Sequence, residues 1–535
     1  MRPAINGGEA QLDGVTWERD DEHMPFALAP LAADYVRAIG AGFGGWERKY
    51  TGGAFGDFRQ AYWYEVVDGY AYIGHRADIP ADASDVDERR RALARARAEV
   101  TSQWWNEEAL PELARLYERI AAVPVEGGNH TEVTVGWTAA WKAFEATQEI
   151  HFESTLGPMQ VLDDLSELYR ATVSGSTAID ADRLTYGVAH EFIQAELGVE
   201  RLATLLAVSP DLADAVRRGE RSLARLQSLP GGIPFEQAFD AFLAQHGHLG
   251  QSADDLSLAS WVEVPQRLVA ELAKRLDQTF ESAARRVERQ ASEARDLADQ
   301  ARLGLAGDPD ALEKFEHLLA LGREIGPLMQ VHNYWIDRKA QSYMRRLSLR
   351  VGRRLVDGGV ISAPEDVLYL HRDEVAVLIE EPADRQALVA SRREIHVRQL
   401  ATTPPRHLGA LPLEPDRTAS DRGPDEAVQP VILQGSGASA GIVAGPARIT
   451  GSSDEFDRIK PGDIIVCRSS NPSWVPLFTI AAGLVTEVGG ILAHAAVVAR
   501  EFGLPAVVGV AGATVAIRDG QRIEIDGLSG TVRLL

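Results

Sequence analysis

The sequence predicts a multidomain α+β protein: a largely helical part over residues 1–400, a connecting stretch at 401–430, and a small C-terminal domain of strands and helix at 431–535. Three observations carry this. At 535 residues the chain exceeds what one ordinary hydrophobic core serves, so two or three domains are expected. From Ala81 to Leu400 the texture is charged and amphipathic at helical spacing. Beyond Pro430 it changes to short apolar runs separated by glycine, as in Asp463-Ile-Ile-Val-Cys467 and Gly483-Leu-Val-Thr-Glu-Val488.

The N-terminal segment is rich in aromatic residues. Tyr62-Trp-Tyr64 and Gly69-Tyr-Ala-Tyr-Ile73 read as short strands around a turn, and His23, before Met24-Pro25, reads as structural. The basic run Arg89 to Arg97, interleaved with alanine, is expected on a helix facing solvent or a partner subunit. Helices follow around Ala139–Phe152 and His190-Glu191, without sustained heptads, so a globular helical domain is expected and not a coiled coil. Glycines interrupt the helical pattern at Phe242-Leu-Ala-Gln-His246-Gly-His248-Leu-Gly, ahead of Trp261. Arg323 to Asp337 holds His332, Tyr334 and Trp335. His248, Arg323, His332 and Tyr334 are the mix a small-molecule pocket needs: aromatic walls for a planar ligand, an arginine to offset charge, and a histidine to take a proton. Thr402-Thr-Pro-Pro to Pro430, rich in proline and charge, reads as a linker.

Composition excludes several classes of function. A net charge of −23 argues against a nucleic-acid surface and against an anionic membrane, so any phosphate site must be local. One cysteine, Cys467, leaves no disulfide framework or thiolate metal cluster, and it is expected to be an inert strand residue. No metal site is read. The N-terminus lacks a signal core and no apolar run reaches membrane-spanning length, so a cytoplasmic protein is expected.

The chemistry is stated most plainly from Thr486 to Pro505. The strand-like Gly483–Val488 runs into Gly489-Gly490, which lets the backbone turn where a Cβ would obstruct; a helix of small apolar residues follows, with His494 in its first turn and Gly503 and Pro505 as stop signals. A histidine at the N-terminal end of a buried helix sits beside unpaired N–H groups and the positive end of the macrodipole, an environment that favours a phosphate dianion. The dipole contributes about 0.3–1 kcal/mol, enough to hold a phosphoryl group but not to activate it.

Thr-x-x-Gly-Gly-x-x-x-His-x-Ala-x-x-Ala-Arg-Glu-x-Gly-x-Pro, from Thr486 to Pro505, resembles the signature of the phosphoenolpyruvate-utilising, dikinase-type enzymes, among them phosphoenolpyruvate synthase, rifampicin phosphotransferase and phenylphosphate synthase. Asn471–Phe478, Ala506–Gly509 and Asp526–Gly530 extend the resemblance over about a hundred residues. It implies a C-terminal β/β/α swivelling domain carrying a phosphoryl group on His494, supported by Thr486, Gly489, Gly490 and Arg500. The segment around His248 is similar to one in rifampicin phosphotransferase, with Leu249 where that family has arginine. Gly435 to Gly445 lacks the lysine and hydroxyl of a phosphate-gripping loop, and no ATP-grasp or pyruvate-binding barrel pattern is visible. The layout resembles the larger subunit of phenylphosphate synthase. The resemblance therefore implies a phenolic acceptor, with ATP and Mg²⁺ bound by a separate ATP-grasp subunit and not tightly by this chain. The alternatives are a rifampicin-type kinase of small-molecule hydroxyls and a non-catalytic phosphoryl-relay protein.

Overall fold

The computed structural model describes residues 4–5, 8–9, 15–21, 23–24, 26–51, 60–76, 84–250, 255–276, 282–402, 404–409, 432–450, 458–468, 478, 480–490 and 494–535. The architecture is multidomain α+β, mostly helical up to residue 400, with the larger sheet in the C-terminal region.

Near the N-terminus, β1 (Val15–Arg19) is followed by α1 (Pro30–Thr51) and a hairpin of β2 (Gln60–Val67) and β3 (Tyr70–Arg76). The hairpin turn is made by Asp68 and Gly69, both with positive φ (50° and 85°), the two-residue geometry whose twist matches the flanking strands. The aromatic run thus forms the hairpin its alternation suggests. α2 (Ser84–Trp104) and α3 (Leu110–Ala121) lead to α4 (His130–Thr172), a 43-residue helix. Its start is fixed by a capping box: Asn129 accepts from the Glu132 N–H and Glu132 accepts from the Asn129 N–H, both at 2.9 Å. α4 is the spine of the main core. Tyr35 stacks on Phe144 at 4.3 Å, and Trp137, Trp141, Leu165 and Tyr169 are buried along its length.

Arg91 and Arg95 of the basic run are exposed on α2, as expected, and two of its arginines also pair with α4: Arg95 with Asp164 (2.6 Å) and Arg97 with Glu153.

α5 (Glu191–Ala207), α6 (Gly232–His246) and α7 (Pro265–Arg275) surround a separate apolar cluster of Leu202, Leu206, Phe235, Phe239 and Leu268. α8 (Ala283–Leu305), α9 (Pro309–Ile325) and the short α10 (Leu328–His332) return to the spine. A π-turn, Asn333–Arg338, joins α10 to α11 (Lys339–Asp357), and α12 (Arg372–Glu380) and α13 (Gln386–Leu400) complete the helical part.

The stretch read as a linker begins differently. β4 (His407–Gly409) pairs antiparallel with β1 at the edge of a four-stranded sheet ordered β2-β3-β1-β4. Tyr70 donates to the Gln399 and Thr402 carbonyls and Tyr72 to that of Pro405, at 2.9, 2.9 and 2.8 Å. Residues up to 409 are therefore fastened to the N-terminal sheet. The remainder of the expected linker, 410–430, lies outside the described residues.

The C-terminal domain contains β5 (Ile432–Gln434), β6 (Ser436–Ser439), β7 (Ile442–Ile449), β8 (Ile464–Cys467), β9 (Gly483–Thr486), α14 (His494–Phe502), β10 (Ala506–Val508), β11 (Arg522–Asp526) and β12 (Thr531–Leu534). They form one eight-stranded sheet ordered β5-β12-β11-β7-β8-β9-β10-β6, in which β7 to β10 run parallel. The parallel strands β8, β9 and β10 are buried throughout, as strands covered on both faces must be. Cys467 is one of these buried residues, and burial raises its thiol pKa, which leaves it inert. Gly437 and Gly445 serve close packing: a Cβ there would run into the Leu528 and Gly462 carbonyls. Among the described residues no helix is long and apolar enough to cross a membrane.

Candidate functional site

The turn between β9 and α14 is braced from behind. Glu487 and Val488 donate their backbone N–H groups to the Arg468 carbonyl at 3.0 and 2.9 Å. The buried Thr486 hydroxyl donates to the Val488 carbonyl at 2.8 Å, and Thr486 in turn accepts from the Val510 N–H. The Glu487 carboxylate receives the Thr514 N–H at 2.7 Å. Gly489 takes φ 107°, a backbone open only to glycine, and no atom lies within 4 Å of where a Gly490 Cβ would be. After residues 491–493, which lie outside the described set, α14 opens at His494. Its N-terminus thus stands beyond the carboxyl end of β9, where parallel sheets bind ligands and where helix N–H groups attract anions. Ala495, Ala496, Val498 and Ala499 bury the helix body.

Arg500, grouped with His494 by the motif, is at the other end of the helix, roughly 9 Å along its axis. Its guanidinium donates to the Tyr186 hydroxyl (2.9 Å) and the Ala438 carbonyl (3.1 Å) and pairs with Asp182 at 3.3 Å. Here it docks the C-terminal domain onto the helical part. Two further contacts share that work: Phe502 lies under the Arg286 guanidinium at 4.4 Å, and Arg468 pairs with Asp21 at 3.1 Å.

The Arg468 contact leads to a cluster of ionisable groups. Asp20, next to Asp21, is bonded by the His23 ring (3.0 Å) and the Tyr64 hydroxyl (2.9 Å); burial would raise its pKa, but the charge and hydrogen bonds of His23 hold it below the usual range. Tyr64 lies 6.2 Å from Phe43, whose ring is in turn 5.5 Å from that of His151. His332 packs edge-on against His151 at 4.5 Å, and His151 Nδ1 lies 2.8 Å from Asp337 Oδ1. Burial would raise the Asp337 pKa, and the charge and hydrogen bond of His151 outweigh it. Burial depresses His332 to about 4, so it is neutral, and its Nδ1–H donates to the Leu328 carbonyl at 2.6 Å. The π-turn explains the grouping: an i→i+5 turn sets His332 and Asp337 on one side, and such turns recur at functional sites.

The sequence-selected pocket residues divide. Tyr334 turns the other way, donating to the Gln245 carbonyl at 3.0 Å, 2.9 Å from His246 Nδ1, with His248 edge-on at 4.5 Å. Burial lowers His248 to about 3 and raises the Tyr334 phenol. His248 Nε2 has no partner among the described residues. Arg323 joins neither group: its Nε donates to the Leu184 carbonyl at 3.0 Å, which fastens α9 to the turn before α5. One pocket of four residues is thus replaced by a Tyr334–His248 pair and a separate His332 cluster, with Arg323 in a structural position.

Comparison with known proteins bears on both halves. Residues 459–530 match the PEP-utilising enzyme mobile domain, and residues 152–328 match the rifampicin phosphotransferase fourth domain. The chain thus carries two segments characteristic of the PEP-utilising, dikinase-type enzymes, the mobile domain and the rifampicin phosphotransferase fourth domain. Its relatives include a rifampicin phosphotransferase of Streptomyces sp, 34% identical over 372 residues (66% of this chain and 41% of that protein). The uncharacterized phosphotransferase YvkC of Bacillus subtilis is 27% identical over 413 residues (74% and 48%). The chondramide synthase cmdD of Chondromyces crocatus is 30% identical over 498 residues (88% and 13%). The chain spans less than half the length of each of these relatives. The match over 459–530 places the His494 motif within a PEP-utilising mobile-domain sequence. The cluster of His151, Asp337, Asp20 and His23 is not part of any motif that the sequence displays.

Proposed function

We propose that this chain carries a phosphoryl group on His494 and transfers it to the hydroxyl of a small aromatic molecule, a phenol in the simplest case. The observation that carries the reading is the Asp21–Arg468 contact: the residue whose carbonyl braces the turn before His494 is paired with the neighbour of Asp20, at the rim of the His23–His332–His151–Asp337 cluster. A carrier that must visit two sites needs one docked position, and charged contacts at a domain surface supply it without a permanent apolar interface. Thr486 and Gly489 shape the carrying turn and Gly490 leaves open space beside it, while Arg500 fixes the dock through Asp182 and Tyr186.

ATP with Mg²⁺ is the proposed phosphoryl source, held by an ATP-grasp unit outside this chain. The glycine-rich stretch from Gly435 to Gly445 does not fit a triphosphate, because Gly435, Gly437 and Gly445 pack against backbone carbonyls and Gly441 against the Pro505 ring. The transfer splits into two displacements, one onto His494 and one from it, so that the nucleotide and the acceptor need never meet. A cytoplasmic setting belongs to the same proposal.

The second reading, a larger hydroxyl-bearing acceptor of the rifampicin type, is favoured by the match over residues 152–328, which contains the Tyr334-facing His248 but also the departure at Leu249. Charging the chain and presenting phenols, rifamycins and candidate acceptor proteins in parallel tests these readings. Label appearing in a small aromatic phosphate ester supports the proposal; label passing only to protein refutes it in favour of a relay.

A further inference from the structure

Phosphoryl transfer to a hydroxyl must also move the proton of that hydroxyl. His151 of α4 and Asp337 of the π-turn are 186 residues apart in sequence and 2.8 Å apart in space. We infer that His151, oriented by Asp337, is the general base that accepts the proton of the acceptor hydroxyl as that oxygen attacks the phosphoryl group on His494. This deepens the phosphotransferase reading and rests on it.

The direction of the hydrogen bond decides the chemistry. An ionised carboxylate can only accept, so His151 Nδ1 donates to Asp337; in the neutral ring this leaves the lone pair on Nε2, the tautomer a base requires. The exposures suit the two roles. The His151 side chain is 19% exposed and can be reached by a ligand, whereas Asp337 is 10% exposed and shielded. His332 is a poorer candidate, since it is only 6% exposed and its Nδ1–H is committed to the Leu328 carbonyl. It forms a wall instead, edge-on to the His151 ring. Phe43 supplies another aromatic edge at 5.5 Å from His151 and itself lies 5.3 Å from Phe152, so the base looks out among rings suited to an aryl group. Tyr334 and His248 offer no competing base at this place, because the Tyr334 hydroxyl is spent on the Gln245 carbonyl and its ring faces α6.

The step balances. The acceptor O–H bond breaks and its proton passes to His151 Nε2; the oxygen forms a bond to phosphorus; the N–P bond breaks and its electron pair returns to the His494 nitrogen. His151 then releases one proton to water and His494 takes one up, restoring two neutral imidazoles with no net proton consumed.

The test uses the full chain charged on His494 with potassium phosphoramidate, followed by single-turnover transfer to two acceptors at mildly alkaline pH: phenol, which is not ionised there, and 4-nitrophenol, which is. In Asp337→Asn, and in His151→Gln as a second variant on the more exposed ring, transfer to phenol should fall by on the order of 10²–10⁴-fold. Transfer to 4-nitrophenolate, which has no proton to give, should stay within a few-fold of the parent, and acid-labile phosphate on the protein should be undiminished. Equal losses with both acceptors would assign the pair a merely structural role and overturn the inference, as would no loss with either. If the parent chain charges but transfers to neither acceptor, the phenolic reading itself fails and takes the base with it. Stoichiometric zinc or manganese retained by the parent, with chelation abolishing transfer to both acceptors, would hand the cluster to a metal and also overturn it.

Discussion

Acidification should unfold the helical part well before its carboxylates are neutralised, because three imidazoles are buried in their neutral form. His246, His248 and His332 are each less than a tenth exposed, and burial depresses them to about 4, about 3 and about 4. In the unfolded chain a histidine titrates near 6.5. The folded pKa lies below the unfolded one, so the unfolded state binds more protons throughout the interval between them. Stability is therefore complete above about pH 6.5 and drains away as pH falls toward about 4. At pH 5 each group costs about 2 kcal/mol, since the interval from 6.5 is roughly one and a half pH units at 1.36 kcal/mol apiece. If all three are exposed in one transition, the loss is about 6 kcal/mol, a large part of the 5–15 kcal/mol that holds an ordinary domain. Asp20 and Asp337, held below the carboxylate range, give up their stabilisation only at lower pH. Urea unfolding followed by tryptophan fluorescence at several values between pH 7 and 5 measures the effect. In a variant with His248 replaced by asparagine the pH-dependent loss should shrink by about 2 kcal/mol. A urea midpoint that does not move between neutral pH and pH 5 would show that the three rings are not buried neutral.

Other consequences are equally direct. Removing the helical side of the dock with Asp182→Asn and Tyr186→Phe together, leaving the C-terminal domain intact, should favour the undocked arrangement by about 2–5 kcal/mol, read as lengthened distances between fluorophores on the two parts. An unchanged distance distribution would mean the dock is held elsewhere. Trypsin should cut at Arg417 or Arg422 before Arg398 or Arg406, because the latter pair lies where the chain is fastened to β1 and to Tyr70 and Tyr72; first cleavage at Arg406 would contradict this. Calorimetry with Mg·ATP should detect no tight site on this chain alone, and micromolar binding with AMP release would refute an external ATP-grasp unit.

The carrier end was legible because its determinants are local. Two glycines, a histidine and a stop signal within twenty positions dictate a strand, a sharp turn and a helix N-terminus without reference to the rest of the chain. The acceptor end was not. His332 and Asp337 would be about 140° apart on an α-helix, so a reading at 3.6 residues per turn separates residues that the π-turn aligns. His151 joins them from α4, and no spacing rule connects positions 151 and 337. Arg323 was misplaced for the converse reason: it is near His332 in sequence, but its face of α9 looks toward Leu184. β4 was hidden by the Pro404-Pro405 pair, which signals a loop. In the fold the prolines precede an edge strand, where a missing donor costs nothing.

In the proposed mechanism one residue, His494, holds the phosphoryl group in transit. Charging the full chain with radiolabelled phosphoramidate and mapping the label under alkaline conditions, which preserve phosphohistidine, tests it directly. The label should lie on the peptide containing His494, be acid-labile, chase into an aromatic phosphate ester when phenol is added, and be absent from His494→Ala although that variant melts as the parent does. Label on another residue, or undiminished charging and transfer in His494→Ala, would contradict the account.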